Sequence, residues 1–516
     1  MLSGKRIFDS VPANNVLNRY ADKRTKTCGI LIATSIALTL LNGCTVGPDY
    51  QRPEVKTPEH FRFEPNAVPL SLGELPWWDV FKDPKLQDLI RTALVNNYDL
   101  KQAVARVEQA RNVAGAARSG YFPQVSYAGD VGRGRNALVN TPTPTGGLTE
   151  SSAMLNLSAV WEIDLWGRIR RLNESARAQY LATEEARRGV TITLVGDVAT
   201  AYFQLLQYDQ ELAIQRAAVK AYAGSFQIFD ERQKSGAASK LEPARAAAAL
   251  ANASALIPQL ELNIAITENQ LRILLGRAPG SIARGSLVDE PPLAPEIPAG
   301  LPSELLKRRP DILAAEQALV AANAGVGVSR ANFFPQIGLT TFLGKVSPSL
   351  SAFSDNSSNA WNIGASLTGP IFSGGRLRAE NREAIAKFDE AAAAYQQCIL
   401  TAFQEVSDAL ITREKLGEIR DFEKQAVASL NASVELVTDR YGNGRSGYYE
   451  VLETQKELYA AQRAEVQAQV SELISVIQLY KALGGGWQVA EEAPAKVGAD
   501  AIGGKIASVT PCGCDE

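Results

Sequence analysis

Two proline-centred joints constrain this chain more than any other feature. Residues Gly120 to Val125 read Gly-Tyr-Phe-Pro-Gln-Val, and Asn332 to Ile337 read Asn-Phe-Phe-Pro-Gln-Ile, 212 positions later. A long Ala-rich stretch with helical periodicity precedes each joint, and a run that alternates like a strand follows it. A proline ring fixes φ, removes an amide donor and pushes the preceding residue out of the helical region. Pro123 and Pro335 therefore mark helix-to-strand transitions.

The similarity extends well past the joints. Asp99-Leu100 matches Asp311-Ile312 at the same offset of 212. Beyond the strands the offset becomes 208, pairing Gly167-Arg168-Ile169-Arg170 with Gly375-Arg376-Leu377-Arg378, Arg232 with Arg440, Gly236 with Gly444, and Leu275-Gly276 with Leu483-Gly484. The change in length falls in the loop between strands, where it costs least. One structural unit is used twice, as repeat 1 over 84–277 and repeat 2 over 303–484.

With 46% apolar and 21% charged residues the chain has the composition of an ordinary folded protein, and a formal charge of −3 gives no reason to expect a nucleic-acid partner. His60 is the one histidine in 516 residues, so the commonest general base and metal ligand is nearly absent. Five cysteines are too few for a disulfide framework, and only Cys398 lies inside the repeat, where a small buried thiol is expected. Gly484-Gly485-Gly486 has no Lys-Ser/Thr after it and reads as a helix end rather than a phosphate loop. Neither an enzyme, a metal site nor a bound cofactor is expected.

At the N-terminus Lys23, Arg24 and Lys26 precede an apolar run from Gly29 to Leu41, too short to span a bilayer and shaped like an export signal over 1–43. It ends Leu41-Asn42-Gly43-Cys44, which resembles the lipobox where a bacterial lipoprotein is cleaved between Gly43 and Cys44 and acylated on Cys44. The alternative is a short buried helix with an incidental cysteine. Residues 44–83 are rich in Pro and aromatics and read as an extended segment laid over other structure.

A helix is expected from Pro84 to Ser119, with Leu86, Leu89, Ile90, Ala93 and Leu94 on one face. Strands are expected at about 124–134 and 152–164, with copies at about 336–346 and 360–371. In the second, Ala153, Leu155, Leu157, Ala159, Trp161 and Ile163 alternate with polar neighbours; in its copy Trp361, Ile363, Ala365 and Leu367 do so. One apolar face with a terminal tryptophan suits a lipid-facing transmembrane strand. A soluble half-buried sheet alternates in the same way.

Helical stretches follow Gly167 as far as about Lys234 and Gly375 as far as about Tyr441. Each is on the order of 100 Å at about 1.5 Å per residue. Each turns at glycines, Gly236 or Gly442 and Gly444, into an antiparallel partner. In the last partner Leu452, Tyr459, Val466, Leu473 and Tyr480 keep a seven-residue spacing, with Val470 and Ile477 beside them, which is coiled-coil packing. Residues 278–302 form a Pro-rich connector, and 485–516 a C-terminal segment whose Cys512-Gly513-Cys514 is read as an inert tail in preference to a metal or disulfide pair.

Four membrane strands in one sheet would leave two edges of unpaired backbone groups in lipid, so they must close with strands of other chains. Three chains would supply twelve, an even number within the known range. At this point the chain resembles the outer membrane factor family of TolC-like trimeric efflux channels, most closely its NodT/OprM-like lipoprotein branch. The resemblance is carried by Leu41-Asn42-Gly43-Cys44, Val46-Gly47-Pro48-Asp49-Tyr50, Trp77-Trp78, both Phe-Pro-Gln joints, Asp164-Leu165-Trp166-Gly167-Arg168, Gly369-Pro370-Ile371-Phe372 and Tyr480 through Trp487.

The resemblance implies an α+β membrane protein: a homotrimer whose twelve-stranded β-barrel is continuous with a long periplasmic α-helical barrel, belted by the Pro-rich segments. It implies an outer-membrane location among lipid, a covalent lipid on Cys44 and no other cofactor. It also implies a periplasmic adaptor (membrane fusion protein), an inner-membrane transporter of the resistance-nodulation-division type, and passage of drugs or other small molecules. By matching positions it implies a periplasmic gate at Glu450 and Glu453, supported by Tyr441, with Glu242 at the equivalent place in repeat 1. Ordinary solvated helix carboxylates are the plainer reading of the same residues. Two rival functions are a protein or peptide secretion duct and a structural periplasmic coiled-coil lipoprotein.

Overall fold

The structure, a computed structural model, describes residues 45–63, 73, 75–135, 149–236, 239–285 and 302–485. The expected signal segment with Gly43 and Cys44, much of the Pro-rich connector, and the C-terminal residues with Cys512 and Cys514 lie outside the described residues.

The elements follow in the order α1 Trp77–Val80, α2 Pro84–Asn96, α3 Tyr98–Ser119, β1 Gln124–Arg135, β2 Thr149–Ile163, α4 Arg168–Lys234 and α5 Leu241–Leu274. Then come α6 Pro302–Arg308, α7 Pro310–Ala331, β3 Gln336–Ser347, β4 Asn359–Thr368, α8 Arg376–Gly442 and α9 Tyr448–Ala482. The sequence of two short helices, two strands, a 67-residue helix and a return helix occurs twice.

The helix expected over Pro84–Ser119 is two helices, divided at Asn97. Asp83 caps the first by accepting from Lys85 N at 2.7 Å, with Pro84 at N1. Asn97 closes it, takes Leu100 N on its Oδ1 at 2.9 Å to start the next, and donates from Nδ2 to Leu274 O at 3.0 Å. That last partner is 177 residues away, which no local pattern announces. Arg309 breaks the matching helix of repeat 2 and donates to Ala482 O at 2.8 Å.

The chain divides into two units. One gathers residues through Arg52, Arg111–Ala178 and Leu319–Glu390, and holds the sheet. Its four strands form an antiparallel meander in the order β1-β2-β3-β4. The strand bounds lie within about three residues of those expected, the usual scatter at element ends.

The other unit gathers Pro53–Ala110, Gln179–Ala318 and Ala391–Glu516, and holds the main core. Leu86, Ile90, Val198, Tyr202, Leu205, Val470 and Ile477 are fully or almost fully buried there. Phe61, Trp77, Val80 and Phe81 of the extended N-terminal segment cover this core. On α9 the coiled-coil seam is wider than its seven-residue pattern predicts. Val466, Val470, Ile477 and Tyr480 are buried, but Val451 and Leu458 bury more deeply than Leu452 and Tyr459, which pack on Ala218, Tyr222 and Ala253. Cys398 is a free thiol of intermediate exposure, pushed up to about 11 by burial and by the Asp311 carboxylate.

Candidate channel surface and gate

Strand pairing puts most of the large apolar residues of the four strands on one face. Tyr127 pairs with Leu157, Leu157 with Leu343, and Leu343 with Trp361. The next row on that face runs Val125, Ala159, Thr341, Ile363, and a lower one ends Ile163, Ile337, Leu367. The opposite face carries Ser126, Ser158, Asn156, Asn362, Ser366 and Thr368 among glycines, with Met154, Val160, Phe342 and Val346 as its apolar minority. Ser126 Oγ and Ser158 Oγ are hydrogen-bonded across it at 2.9 Å. The apolar face is not covered: Tyr127 is 82% exposed, Trp361 74% and Ile363 78%. A soluble sheet would bury such a face in a core.

The sheet ends are aromatic. Trp361 stands near one, and the other gathers Trp161, Tyr121, Trp166 and Phe334. Pro123 and Pro335 sit between helix and strand in both joints, after terminal turns in which Phe122 N donates to Ser119 O and Phe334 N to Ala331 O. Gln124 reaches back from the first strand residue to Ser119 O and Phe122 O. Trp166 donates to Pro335 O at 2.8 Å and stacks on Phe334 at 4.7 Å, tying the β2 exit to the second joint. At that exit Asp164 caps α4 by accepting from Ile169 N and Arg170 N at 3.0 and 2.8 Å.

Thr45, the first described residue, packs on this exit. Gly167 has φ +79°, and a Cβ there would lie 2.5 Å from Thr45 Cγ2, so glycine is required on two counts. Val46 N donates to Trp166 O at 3.0 Å, Asp49 pairs with Arg171 at 2.6 Å, and Pro48 O accepts from Asn323. None of these contacts is visible in the sequence, though Val46 through Tyr50 carries part of the family resemblance.

Tyr441, Glu450 and Glu453 flank the turn between α8 and α9, where Gly444 has φ +68°, and Glu242 follows the turn between α4 and α5. Glu450 is exposed in the first turn of α9. Glu453, one turn on, is half-buried and pairs with Lys456 at 3.1 Å. Glu242 is exposed in the first turn of α5. Tyr441 accepts from Arg232 Nη1 of α4 at 2.7 Å. Glu453 also borders an open cleft of about 570 Å³ with Tyr222, Arg245, Lys456, Tyr459 and Arg463. Burial pushes the Tyr222 hydroxyl up to about 12, with Tyr459 and Glu453 adding to the effect. Tyr222, Tyr448 and Arg245 were missed in the sequence because their partners lie on other helices.

Helices α4 and α7 are long and apolar enough to cross a membrane by length and composition, but the apolar stretch of α4 is 67% buried inside the protein, where it supplies core residues such as Val198 and Leu205.

Residues 89–277 and 301–485 match the family described as outer membrane efflux protein. The probable efflux pump outer membrane protein TtgC of Pseudomonas putida is 37% identical over 465 residues, 89% of this chain and 96% of that protein. The cation efflux system protein CusC of Escherichia coli is 34% identical over 463 residues, 89% of this chain and 99% of that one. The open-state structure of the Neisseria gonorrhoeae MtrE outer membrane channel superposes with a TM-score of 0.78 at 31% identity, over 86% of this chain and 99% of MtrE. The chain belongs to the outer membrane efflux protein family, the outer-membrane exit ducts of efflux pumps.

Proposed function

We propose that three copies of this chain close their sheets into a twelve-stranded transmembrane barrel that continues into a periplasmic helical barrel, and that this duct is the outer-membrane part of a tripartite pump. The observation that carries the reading is a four-stranded sheet with one mainly apolar face, one mainly polar face and two edge strands, β1 and β4, without a partner among the described residues. In lipid each unsatisfied backbone group costs several kcal/mol, so both edges need strands from another copy. The apolar face then meets lipid and the polar face lines the pore. The shortest strand has 10 residues. At about 3.4 Å per residue and a tilt near 40° it rises about 26 Å, close to the apolar band of such barrels.

A lipid on Cys44 is supported by the seating of Thr45 against Gly167 at the aromatic end of the sheet, where an acyl chain on the preceding residue would meet the membrane interface. The partners are a periplasmic adaptor and an inner-membrane transporter of the resistance-nodulation-division type, which supply the energy that a duct lacks. The cargo is drugs or other small organic molecules. TtgC is named for an efflux pump and CusC for cation efflux; with one histidine, two methionines, one of them Met1, and Cys398 as the one cysteine among the described residues, the repeats carry little soft-ligand chemistry for a metal-ion route.

The gate is formed by Glu450 and Glu453, with Tyr441 bracing the turn and Glu242 on the other hairpin. Lys456 offsets the charge of Glu453, which leaves Glu450 as the stronger source of cation preference. Purified mature protein in a planar bilayer, with its oligomeric mass measured in the same detergent, tests the whole reading. A trimer with small cation-preferring openings, enlarged by Glu450→Ala with Glu453→Ala, is expected. A monomer without conductance would leave the coiled-coil lipoprotein as the better account.

A further inference from the structure

We propose that the cleft between α4, α5 and α9 is a binding site for a small aromatic carboxylate. The site goes beyond the duct reading, because all of its lining comes from one chain. Its volume of about 570 Å³ lies within the range of small-molecule sites. Ala248, Ala249 and Ala253 of α5 line it where longer side chains would fill it, and Leu256 and Leu452 add apolar wall. Tyr222 of α4 and Tyr459 of α9 meet edge-on in it at 6.0 Å.

Two groups in this lining lack the partner their chemistry calls for. Tyr222 is only 5% exposed, and its hydroxyl has no hydrogen-bond partner among the described residues. Burial pushes that hydroxyl up to about 12, so at neutral pH it keeps its proton and is a donor without an acceptor. Arg463 is half-buried and forms no ion pair among the described residues. Its charge is felt at Tyr222, where it opposes the effect of burial, so guanidinium and hydroxyl are neighbours.

The rest of the lining sets the sign of the ligand. Arg245 lies over the Tyr449 ring at 5.0 Å instead of meeting an acid. Lys456 pairs with Glu453, the one carboxylate in the cleft, which leaves Arg245 and Arg463 as uncompensated cations. A carboxylate would accept from Tyr222 and meet Arg463, and an attached ring would pack on Tyr459 and the alanines. An inorganic anion would leave the apolar wall uncovered, and an organic cation would be repelled.

Packing shared by both repeats does not account for the two groups. The position 208 residues after Tyr222 is Leu430, and the position 208 before Arg463 is Ala255. The donor and the cation stand in one place only.

Equilibrium dialysis of 2-naphthoate with the purified mature protein in a non-ionic detergent, against protein-free micelles, tests this. The neutral 2-naphthamide serves as the second probe. Saturable binding of the acid is expected, about tenfold tighter than of the amide, which keeps the rings and loses the charge. Tyr222→Phe and Arg463→Gln are each expected to weaken the acid about tenfold and the amide far less. Ala249→Leu fills the cleft and is expected to abolish binding of both. Equal affinity for acid and amide, wild-type affinity in both Tyr222→Phe and Arg463→Gln, or uptake that never saturates overturns the site. Should Ala249→Leu not fold, Tyr222→Phe, which removes a single oxygen, and Arg463→Gln decide the matter. The cleft lies within one chain, so a failure of the bilayer test of the duct leaves this prediction in force.

Discussion

Asn97 and Arg309 hold the same place in the two repeats and carry different chemistry on one backbone. Each separates two helices, and each donates to a last-turn carbonyl of its return helix, Leu274 O or Ala482 O. The surrounding acids correspond too, Asp99 with Asp311 and Asp197 with Glu405. The cation is what differs. Arg309, with its side chain only 8% exposed, pairs with Asp311 at 2.6 Å and Glu405 at 2.7 Å. Burial alone would push the Asp311 carboxyl up, but the Arg309 hydrogen bond and charge outweigh it and hold it below the ordinary range. In repeat 1 no guanidinium stands at position 97, and burial pushes the Asp197 carboxyl up against the pull of Lys481. A buried carboxylate is tolerated as an anion only where a cation meets it.

The largest effect should come from the glycines on which both breaks rest. Gly276 and Gly484 have φ +66° and +71°, but a Cβ on Gly276 would meet Asn96 O at 2.4 Å, whereas the nearest atom to one on Gly484 is Arg309 Cα at 3.2 Å. Left-handed backbone costs a non-glycine residue about 1–2 kcal/mol, and overpacking about 1–3 more. Gly276→Ala is therefore expected to lower the melting temperature of the detergent-solubilised protein clearly more than Gly484→Ala. Equal shifts would show that the two joints are not packed differently.

Next comes Arg309→Ala. Its carboxylate partners are about half exposed and screened by water, so the cost is mainly that of the lost charged hydrogen bond to Ala482 O, about 1.5–3 kcal/mol. Asn97→Ala breaks the neutral counterpart and is expected to cost about 1–2 kcal/mol, read from the same melting curves.

The smallest and most diagnostic effect is in pH. Asp311, with its lowered folded value, adds stability that is present above the unfolded value of about 3.9 and lost as pH falls through the folded one. Asp197, raised, does the reverse: its contribution is present below that unfolded value and lost as pH rises. Asp197→Asn is expected to raise the melting temperature at neutral pH, and Asp311→Asn to lower it. Shifts of the same sign would remove the contrast.

Much of the fold was legible because its signals are local. Pro123 and Pro335 end helices by covalent geometry, Ala153 through Ile163 alternate with a period of two, and Gly236 and Gly444 mark turns that require positive φ. The break at Asn97 was not legible, since an asparagine inside an apolar helical pattern shows no break until Leu274 O is brought to it. Of the residues expected at a gate, Glu450 and Glu453 lie in the first two turns of α9. That Tyr448 reaches Ser225 across 223 residues depended on how helices far apart in sequence lie together.

The sequence by itself determined the element types, their order and their duplication, because helical and strand periods and proline geometry act over a few residues. The tertiary structure decided which face of the sheet gathered Tyr127, Leu157, Leu343 and Trp361 into one uncovered apolar surface, since register depends on pairing between strands that the chain separates. It also decided which carboxylates keep a cation. Charge compensation depends on distances of a few ångströms between residues far apart along the chain, and no local preference encodes them.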